Sequence, residues 1–546
     1  MIGLRADTAW FAGPGWRVAA ACVALGVCAP IASLAWTAAG GDGSQWPHLF
    51  AHVLPQAAWN TAVLLAGVAV MVLVIGTGSA WLVTAYDFPG RRVLQWALLL
   101  PLAMPTYIVA FAYLDLLHPL GPVQEALRWL QGIDSPRDWR LRDLRSMEGA
   151  VVLLGLVLYP YVYMAARPMF ATQPAHLLEA ARSLGEGPLG AWRRVVLPMA
   201  RPALAVGLSL ALLETLNDIG ASEFLGVQTL TVTVYTTWIT RSDLAGAAQI
   251  ACAMLFGVLA LLWVEQHERR HQQFASVRRM RAAPPPRLRG ARAAAPTATV
   301  ALPVLLGFVA PAAYLLAETV KRLGQGAGIS DGLVRSLANT LTLAGGVTAL
   351  TMAAGLVIAW SARRASGQGK AWAPRFAALG YALPGTVLAI GLLGPALAVD
   401  AAVARVLGLD GLPLMGAGIV LVVACVMRFL TMSAGVLESG LDRIPRALDQ
   451  AARLLGETAN GTLRRVHLPL LQPAFAAGAL LVFVDAMKEL PATLLLRPAD
   501  FDTLATSLYA EAARGTYEEG AIAALGIVLA GLLPVAWLAR SGELGR

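Results

Sequence analysis

Long apolar stretches alternate with short polar segments along the whole chain. Each stretch has about 20 residues, the length that an α-helix needs to cross the hydrocarbon core of a bilayer. Twelve such stretches centre on residues 17–38, 61–84, 95–116, 149–168, 202–222, 246–265, 299–318, 338–361, 375–397, 413–434, 473–494 and 521–539. The pattern predicts an all-α polytopic membrane protein with about 12 transmembrane helices.

The composition supports this interpretation. Of the 546 residues, 57% are hydrophobic and only 14% are charged, and the mean hydropathy is +0.63. Soluble domains contain about 25% charged residues, so a soluble fold is excluded, as are disordered and disulfide-rich secreted classes. The net charge of +9 comes from arginines in short loops between apolar stretches. That distribution indicates membrane orientation, and no nucleic-acid partner is expected.

The positions of the basic residues predict how the chain is oriented. Loop 39–60 has no Lys or Arg, whereas segment 266–298 has eight arginines and one acidic residue, Glu268. Because basic loops lie on the cytoplasmic side, both termini are predicted to be cytoplasmic. The charges of loop 117–148 are balanced, with five arginines and five acids. We place this loop on the outer side of the membrane, with a surface helix at 122–131.

Segment 266–298 is predicted to be a linker. It contains Pro284, Pro285 and Pro286 and has no apolar period, so it buries too little surface to order itself. The chain then divides into a first module at 1–265, a basic cytoplasmic linker at 266–298 and a second module at 299–546. Six spans in each module leave both modules in the same orientation, which predicts a symmetry axis along the membrane normal.

An internal repeat relates the two modules. The segment LLEAARSLGEGPLGAWRRVVLPMARPAL matches LDQAARLLGETANGTLRRVHLPLLQPAF, with every aligned pair 271 positions apart, as at 202 and 473. Upstream, Asn60-Thr61 matches Asn339-Thr340 at a separation of 279. So many identities in one register indicate a duplicated six-span module.

The matched segments predict the same local structure, at about 175–200 and about 446–471. An Ala-rich helical turn ends at Gly185 or Gly456, since glycine adopts the left-handed backbone that stops a helix. A second short helix with two arginines follows, and a Leu-Pro pair begins the next span. A rigid helix with an alanine face between two spans suits docking into the groove of a partner protein.

The pattern EAA, three residues, Gly, nine residues, a β-branched residue, one residue, then Leu-Pro resembles the EAA loop of binding-protein-dependent ABC importer permeases. The resemblance covers nearly the whole chain as two fused permease modules. In that family the loop is the coupling helix that contacts an ATP-binding subunit. The implied coupling residues are Glu179, Ala180, Ala181 and Gly185 in the first module, and Gln450, Ala451, Ala452 and Gly456 in the second. Gln450 replaces the usual Glu, so the second contact is expected to be weaker or differently paired.

The resemblance also implies the partners. A permease of this kind works in the bacterial inner membrane with two copies of an ATP-binding subunit and a periplasmic solute-binding protein. ATP and Mg would bind the partner subunit, so this chain is expected to bind no cofactor and to have no catalytic residue of its own. Closure of the ATP-binding subunits would rock one module against the other and open a path between spans 5 and 11.

Acidic residues occur at the ends of these two spans. Glu214 aligns with Asp485 and Asp218 aligns with Glu489, which predicts acids at i and i+4 on one helical face in each module. Charges in a bilayer face the bundle interior or water. They are therefore either a polar lining of the path or structural ion pairs. The candidate path residues are Glu214, Asn217, Asp218, Asp485, Lys488 and Glu489.

The stretch MKELPATLLLRP at 487–498 resembles the second half of fused ferric-iron permeases, which favours ferric iron as the substrate. Permeases for thiamine, polyamines or phosphonates remain alternatives, as do a 12-span secondary transporter and a membrane scaffold without ATP coupling. The HExxH pattern that begins at His267 lies in a basic environment and has no third ligand at a recognised spacing. No metal site is therefore predicted.

Overall fold

The computed structural model describes residues 14–40, 46–133, 135–171, 183–270, 286–325, 330–364, 380, 383–408 and 411–543. These residues form helices joined by short turns, and the all-α fold is confirmed.

The helices of the first half are α1 (Pro14–Ala39), α2 (Leu54–Ala85), α3 (Arg91–Ala97), α4 (Thr106–Leu116), α5 (Pro122–Gln131), α6 (Met147–Ala171), α7 (Pro188–Ala191), α8 (Leu197–Asn217), α9 (Gly220–Phe224), α10 (Leu230–Ile239) and α11 (Leu244–Arg270). Those of the second half are α12 (Ala291–Val304), α13 (Ala310–Gly324), α14 (Asp331–Arg364), α15 (Gly385–Leu407), α16 (Pro413–Gly416), α17 (Ile419–Asp442), α18 (Arg446–Leu454), α19 (Ala459–Thr462), α20 (Leu468–Met487), α21 (Pro491–Leu496), α22 (Leu504–Arg514) and α23 (Tyr517–Glu543).

Each of the twelve predicted spans corresponds to a helix or a broken helix. Within the described ranges, ten helices are long and apolar enough to cross a membrane. The predicted third span is a pair of segments, Arg91–Ala103 and Thr106–Leu116, bent by 92° at the break. The predicted sixth span lies in α11, whose apolar part is Leu244–Ala260.

The bend shows that the third span is not one continuous helix, and proline is the physical reason. Pro105 precedes α4 with an extended backbone (φ −56°, ψ 146°), and Pro384 precedes α15 in the same way (φ −54°, ψ 142°). A proline lacks the N–H that would continue a preceding helix, and its ring clashes with the previous turn. The repeated prolines therefore come just before the corresponding helices, α4 and α15, in the two modules.

Within the described ranges, four wide π-helical turns also precede prolines. They lie at Leu49–Val53, Trp192–Val196, Leu305–Val309 and Leu463–His467. In each, the residue just before the proline donates its N–H to a carbonyl five positions earlier, as Leu468 does to Leu463. A π-bulge widens the helix locally, which accommodates the proline ring without ending the helix.

The described chain separates into two compact units. One unit combines α1 and residues 234–255 with α14 to α21. The other combines α2 to α9 with α12, α13 and α23. The first span of each sequence half therefore belongs to the unit built mainly by the other half.

The packing inside each unit shows how these first spans are held. In the first unit α1 packs on α14 and α15, and Ala20 and Val27 join a buried cluster with Ile358 and Leu430. In the second unit the hydroxyl of Tyr113 on α4 donates to the carbonyl of Leu306 at 2.6 Å. Small apolar side chains and interhelical hydrogen bonds are the usual means of helix association in lipid.

The repeated Asn-Thr pair holds the start of a short helix in each module. The amide of Asn60 donates to the carbonyl of Gln228 (3.1 Å), and the hydroxyl of Thr61 accepts the N–H of Leu230 at the start of α10 (2.9 Å). In the second module, Asn339 donates to the carbonyl of Asp502 at 3.0 Å, and Thr340 accepts the N–H of Leu504 at 2.8 Å. The Thr hydroxyl thus satisfies one of the N–H groups that a helix start leaves unpaired.

The ends of the predicted linker are ordered. Helix α11 continues to Arg270, and α12 begins at Ala291. Just before α12, Asp87 donates its N–H to the carbonyl of Pro286 (3.0 Å) and accepts the N–H of Leu288 (2.8 Å). These bonds order the end of a segment whose composition alone predicts no structure; residues 271–285 lie outside the described part of the chain.

Candidate functional site

The second predicted coupling segment contains a short exposed helix, α18. Asp449 and Ala452 are buried, whereas Gln450 and Ala451 are exposed. At the end of the segment, Leu454 and Leu455 are 88% and 84% exposed. The helix therefore has one face on the protein and another that presents Gln450, Ala451 and apolar side chains outward.

Gly456 ends this helix as the sequence predicts. Its φ of +81° lies in the left-handed region that glycine adopts without steric cost. The N–H of Glu457 donates to the carbonyl of Ala452, and the N–H of Gly456 donates to that of Arg453, both at 3.0 Å. This pair of bonds is the Schellman motif, which satisfies carbonyls at the end of a helix.

The first coupling segment is described from Ser183 onward, so Glu179, Ala180 and Ala181 lie outside the described residues. Gly185 has a φ of +87°, matching Gly456. An exposed ion pair joins Glu186 and Arg194, and its counterpart joins Glu457 and Arg465. The described parts of the two segments thus share the left-handed glycine, the ion pair and the π-helical turn.

A buried polar cluster below α18 was not predicted. Asp449 accepts hydrogen bonds from Arg363 at the end of α14, with Nη2 2.7 Å from Oδ2, and from Nε2 of His467 in the π-helical turn. The guanidinium of Arg363 also donates to the backbone carbonyls of Leu441 and Ile444. A mismatch within the repeat would have revealed the cluster, because the first module has Thr84, Leu178 and Val196 at the corresponding positions.

The cluster holds Asp449 in its charged form. Burial raises the pKa of a carboxyl group, but the hydrogen bonds from His467 and Arg363 and the positive charge of Arg363 outweigh it. The pKa of Asp449 is therefore below its ordinary value of 3.8. Because an ionised carboxylate only accepts hydrogen bonds, Nε2 of His467 is assigned as the protonated nitrogen.

The second acid of each intramembrane pair lies two residues before a short helix. Asp218 accepts the N–H of Ser222 in α9 at 2.7 Å and the hydroxyl of Thr106 at 2.5 Å. Glu489 accepts the N–H of Ala492 in α21 at 2.9 Å. Both carboxylates therefore satisfy N–H groups in the first turn of the helix that follows.

This geometry corrects the prediction that the acids at i and i+4 share one helical face. Helix α8 ends at Asn217 and α20 ends at Met487, so Asp218 and Glu489 both lie beyond the helix that carries the first acid. The predicted spans 202–222 and 473–494 therefore end earlier than the apolar pattern indicates. At each break the carboxylate accepts an N–H of the short helix that follows.

The carboxylates of Asp218 and Glu489 have different side-chain partners. Glu489 forms a buried ion pair with Arg428, 2.8 Å from Nη1, whereas Asp218 receives the neutral hydroxyl of Thr106. Gly385 occupies the position that matches Thr106, and a side chain there would collide with the guanidinium of Arg428. Replacing Thr by Gly thus makes room for the arginine in the second module.

The remaining candidate path residues lie at the ends of α8 and α20. Glu214 is half-buried and Asn217 is buried. Lys488 forms an ion pair with Asp485, one turn earlier in the chain, at 2.7 Å. Among the described residues, no group of three or more His, Cys, Asp or Glu side chains is placed to hold a metal ion.

Comparison with known families agrees with this arrangement. The family model described as the inner membrane component of binding-protein-dependent transport systems matches twice, at residues 73–272 and 351–541. The chain belongs to this family of ABC importer permeases and consists of two fused permease modules. Membership implies a periplasmic binding protein and an ATP-binding subunit as partners, and a location in the inner membrane.

Three relatives of the chain have names that give different substrates. An Fe(3+)-transport system permease protein of Haemophilus influenzae is 23% identical over 87% of this chain and 88% of its own length. A sulfate transport system permease protein of Escherichia coli is 27% identical over 46% of this chain and 91% of its own length. A putative 2-aminoethylphosphonate transport system permease protein of Salmonella choleraesuis is 30% identical over 39% of this chain and 76% of its own length.

Proposed function

We propose that this chain is the membrane part of an ATP-driven importer for ferric iron delivered by a periplasmic binding protein. The observation that carries the proposal is the similarity to an Fe(3+)-transport permease over 87% of the chain, through both modules. The sulfate and phosphonate relatives match 46% and 39% of it. Similarity in both modules favours iron, because both line the path in a fused permease.

In this proposal the two coupling segments dock into two copies of the ATP-binding subunit. The exposed face of α18, with Gln450 and Ala451 beside Leu454, supports this role, because a short helix with exposed apolar residues fits a hydrophobic groove. Glu179, Ala180 and Ala181 would form the equivalent contact of the first module. Energy then comes from ATP and Mg on the partner, and this chain performs no chemistry itself.

The basic segments set the orientation in this proposal. Segment 266–298 and the arginines of both coupling segments face the cytoplasm, and so do both termini. We assign Glu214, Asn217, Asp485 and Lys488 to the translocation path. Asp218 and Glu489 position the short helices α9 and α21 that follow.

Uptake of radiolabelled ferric iron tests the proposal. Cells that carry the gene, and that lack any other ferric uptake system, should accumulate the label, and ATP depletion should abolish the accumulation. Matched cells without the gene provide the control. Equal iron uptake with and without the gene would reject iron as the substrate.

A second candidate is an oxyanion importer, since sulfate and phosphonate permeases are among the relatives. The same cells can be supplied with labelled sulfate and 2-aminoethylphosphonate. Gene-dependent uptake of either anion, without uptake of iron, would replace ferric iron by the anion and would leave the importer architecture unchanged.

A further inference from the structure

The second module contains a buried group of polar residues at its coupling segment, and the aligned residues of the first module differ from them. The second module has Arg363, Asp449 and His467 where the repeat puts Thr84, Leu178 and Val196 in the first. The separations are 279, 271 and 271 positions, which are the separations of the matched motifs around them. Three charged or titratable groups therefore replace a hydroxyl and two aliphatic groups.

These three side chains are removed from solvent. The side chain of His467 is 0% exposed, that of Arg363 is 6% exposed and that of Asp449 is 11% exposed. The ring of His467 also packs against Trp360, with 4.9 Å between the ring centroids. Moving such groups out of water is costly, and only close pairing with complete hydrogen bonding offsets the cost.

Packing alone does not require this cluster. Val196 is fully buried at the position that matches His467, so an aliphatic side chain fills that site in the first module. Replacing a buried ion cluster by apolar residues is often neutral or stabilising, so its presence is weak support for a role in stability. Buried polar contacts are directional, and they specify one arrangement of the elements that carry them.

The cluster joins the coupling helix to the spans around it. Asp449 is the neighbour of the exposed Gln450 on α18, whereas Arg363 lies in the last turn of α14 and His467 leads into α20. Through the carbonyls of Leu441 and Ile444, Arg363 also holds the end of α17 and the turn after it. A displacement of α18 therefore reaches α14, α17 and α20 through this set of hydrogen bonds.

We propose that Arg363, Asp449 and His467 are positioning residues that attach the second coupling helix rigidly to its three spans. The second module then transmits movement of its ATP-binding subunit through a polar contact, whereas the first module has Thr84, Leu178 and Val196 at these positions. The two modules consequently contribute unequally to transport. This inference rests on the proposed importer function.

The test replaces the cluster by the residues of the first module. The variant Arg363→Thr, Asp449→Leu, His467→Val leaves no unpaired charge behind, so it is expected to insert and to assemble with the ATP-binding subunit. In vesicles supplied with the binding protein and its substrate, uptake should fall about tenfold. ATP hydrolysis should fall less than about twofold, because the subunits still dock.

An exposed ion pair elsewhere provides the control. Glu318→Leu with Lys321→Thr removes a salt bridge on α13 whose lysine is 49% exposed. This variant should transport at the wild-type rate. Wild-type uptake in the triple variant, at the same amount of assembled complex, would show that the cluster only fills space and would overturn the proposal. Equal loss of uptake and of ATP hydrolysis would also overturn it, because docking would then be the affected step.

If the triple variant does not accumulate in the membrane, a second variant tests the proposal. Arg363→Lys keeps the charge beside Asp449 but loses the planar fork that reaches the carbonyls of Leu441 and Ile444. It should reduce uptake more than ATP hydrolysis, and unchanged uptake would contradict the proposal. A separate observation would contradict the proposed function itself: the wild-type chain would purify without an ATP-binding subunit.

Discussion

At the scale of single residues, buried carboxylates decide local structure through their partners. Asp449 is held charged by Arg363 and His467, and its pKa lies below 3.8. A lowered native pKa means that the unfolded chain binds a proton more readily, so the group stabilises the folded state above its unfolded pKa. That contribution is lost as the pH falls through the lowered native pKa.

The lowered pKa of Asp449 predicts that the effect of Asp449→Asn on thermal stability depends on pH. The wild-type protein in detergent should have the higher melting temperature from pH 8 to about 5, and the difference should shrink below about pH 4. Asp500→Asn, at an exposed position after α21, is the matched control. A wild-type advantage that persists unchanged at pH 3 would contradict the assignment of a charged Asp449.

The two matched caps provide a second prediction at this scale. Glu489→Gln removes the charge that faces the buried Arg428 and should cost about 3 kcal/mol. Asp218→Asn keeps an acceptor for the neutral donors Thr106 and Ser222 and should cost about 1 kcal/mol. Thermal unfolding of the two variants in the same detergent measures the difference. Equal destabilisation would show that the ion pair adds nothing to the cap.

At the scale of elements, the proposed docking of the two coupling segments into the ATP-binding subunits can be tested by changing their charge. Helix α18 exposes Gln450 on the face opposite the buried Asp449 and Ala452. A new positive charge on that face would be placed in the partner's groove, where an unpaired charge is costly. The fold itself should be unaffected, because the position is exposed.

We therefore expect Glu179→Arg combined with Gln450→Arg to abolish transport while the protein still inserts into the membrane. Uptake in cells and the amount of protein in the membrane fraction measure the two effects. Gln325→Arg, the same exchange at an exposed position after α13, should leave uptake unchanged. Normal uptake in the double variant would refute the coupling assignment.

At the scale of the whole molecule, the two sequence halves exchange their first spans. Helix α1 belongs to the unit of α14 to α21, and α12 and α13 belong to the unit of α2 to α9. Each half on its own therefore lacks the buried surface that covers its remaining helices. Fusion in one chain keeps the exchanged spans together.

This arrangement predicts the behaviour of a divided protein. Residues 1–280 and 281–546, each expressed alone, should be degraded or sensitive to protease in the membrane. Co-expression of the two pieces should restore protease-resistant protein, because each supplies the first span that the other half packs against. Stable accumulation of one piece alone would contradict the exchange of spans.

The repeat and the apolar pattern predicted most of the architecture. Spans of about 20 apolar residues identify membrane helices because the bilayer thickness sets their length. Gly185 and Gly456 marked helix ends because few other residues adopt a positive φ. Pro105 and Pro384 lie just before α4 and α15, since a proline cannot continue a helix from its N-terminal side.

The sequence by itself thus determined the number of spans, their duplication and the turns of the coupling segments, because bilayer thickness and backbone geometry act locally. Only the tertiary structure decided which unit α1 joins, because one apolar span is as hydrophobic as another. It also decided that Arg428 pairs with Glu489 and that Arg363 and His467 meet at Asp449. These partners are far apart in sequence, and only the packing of the spans brings them within hydrogen-bonding distance.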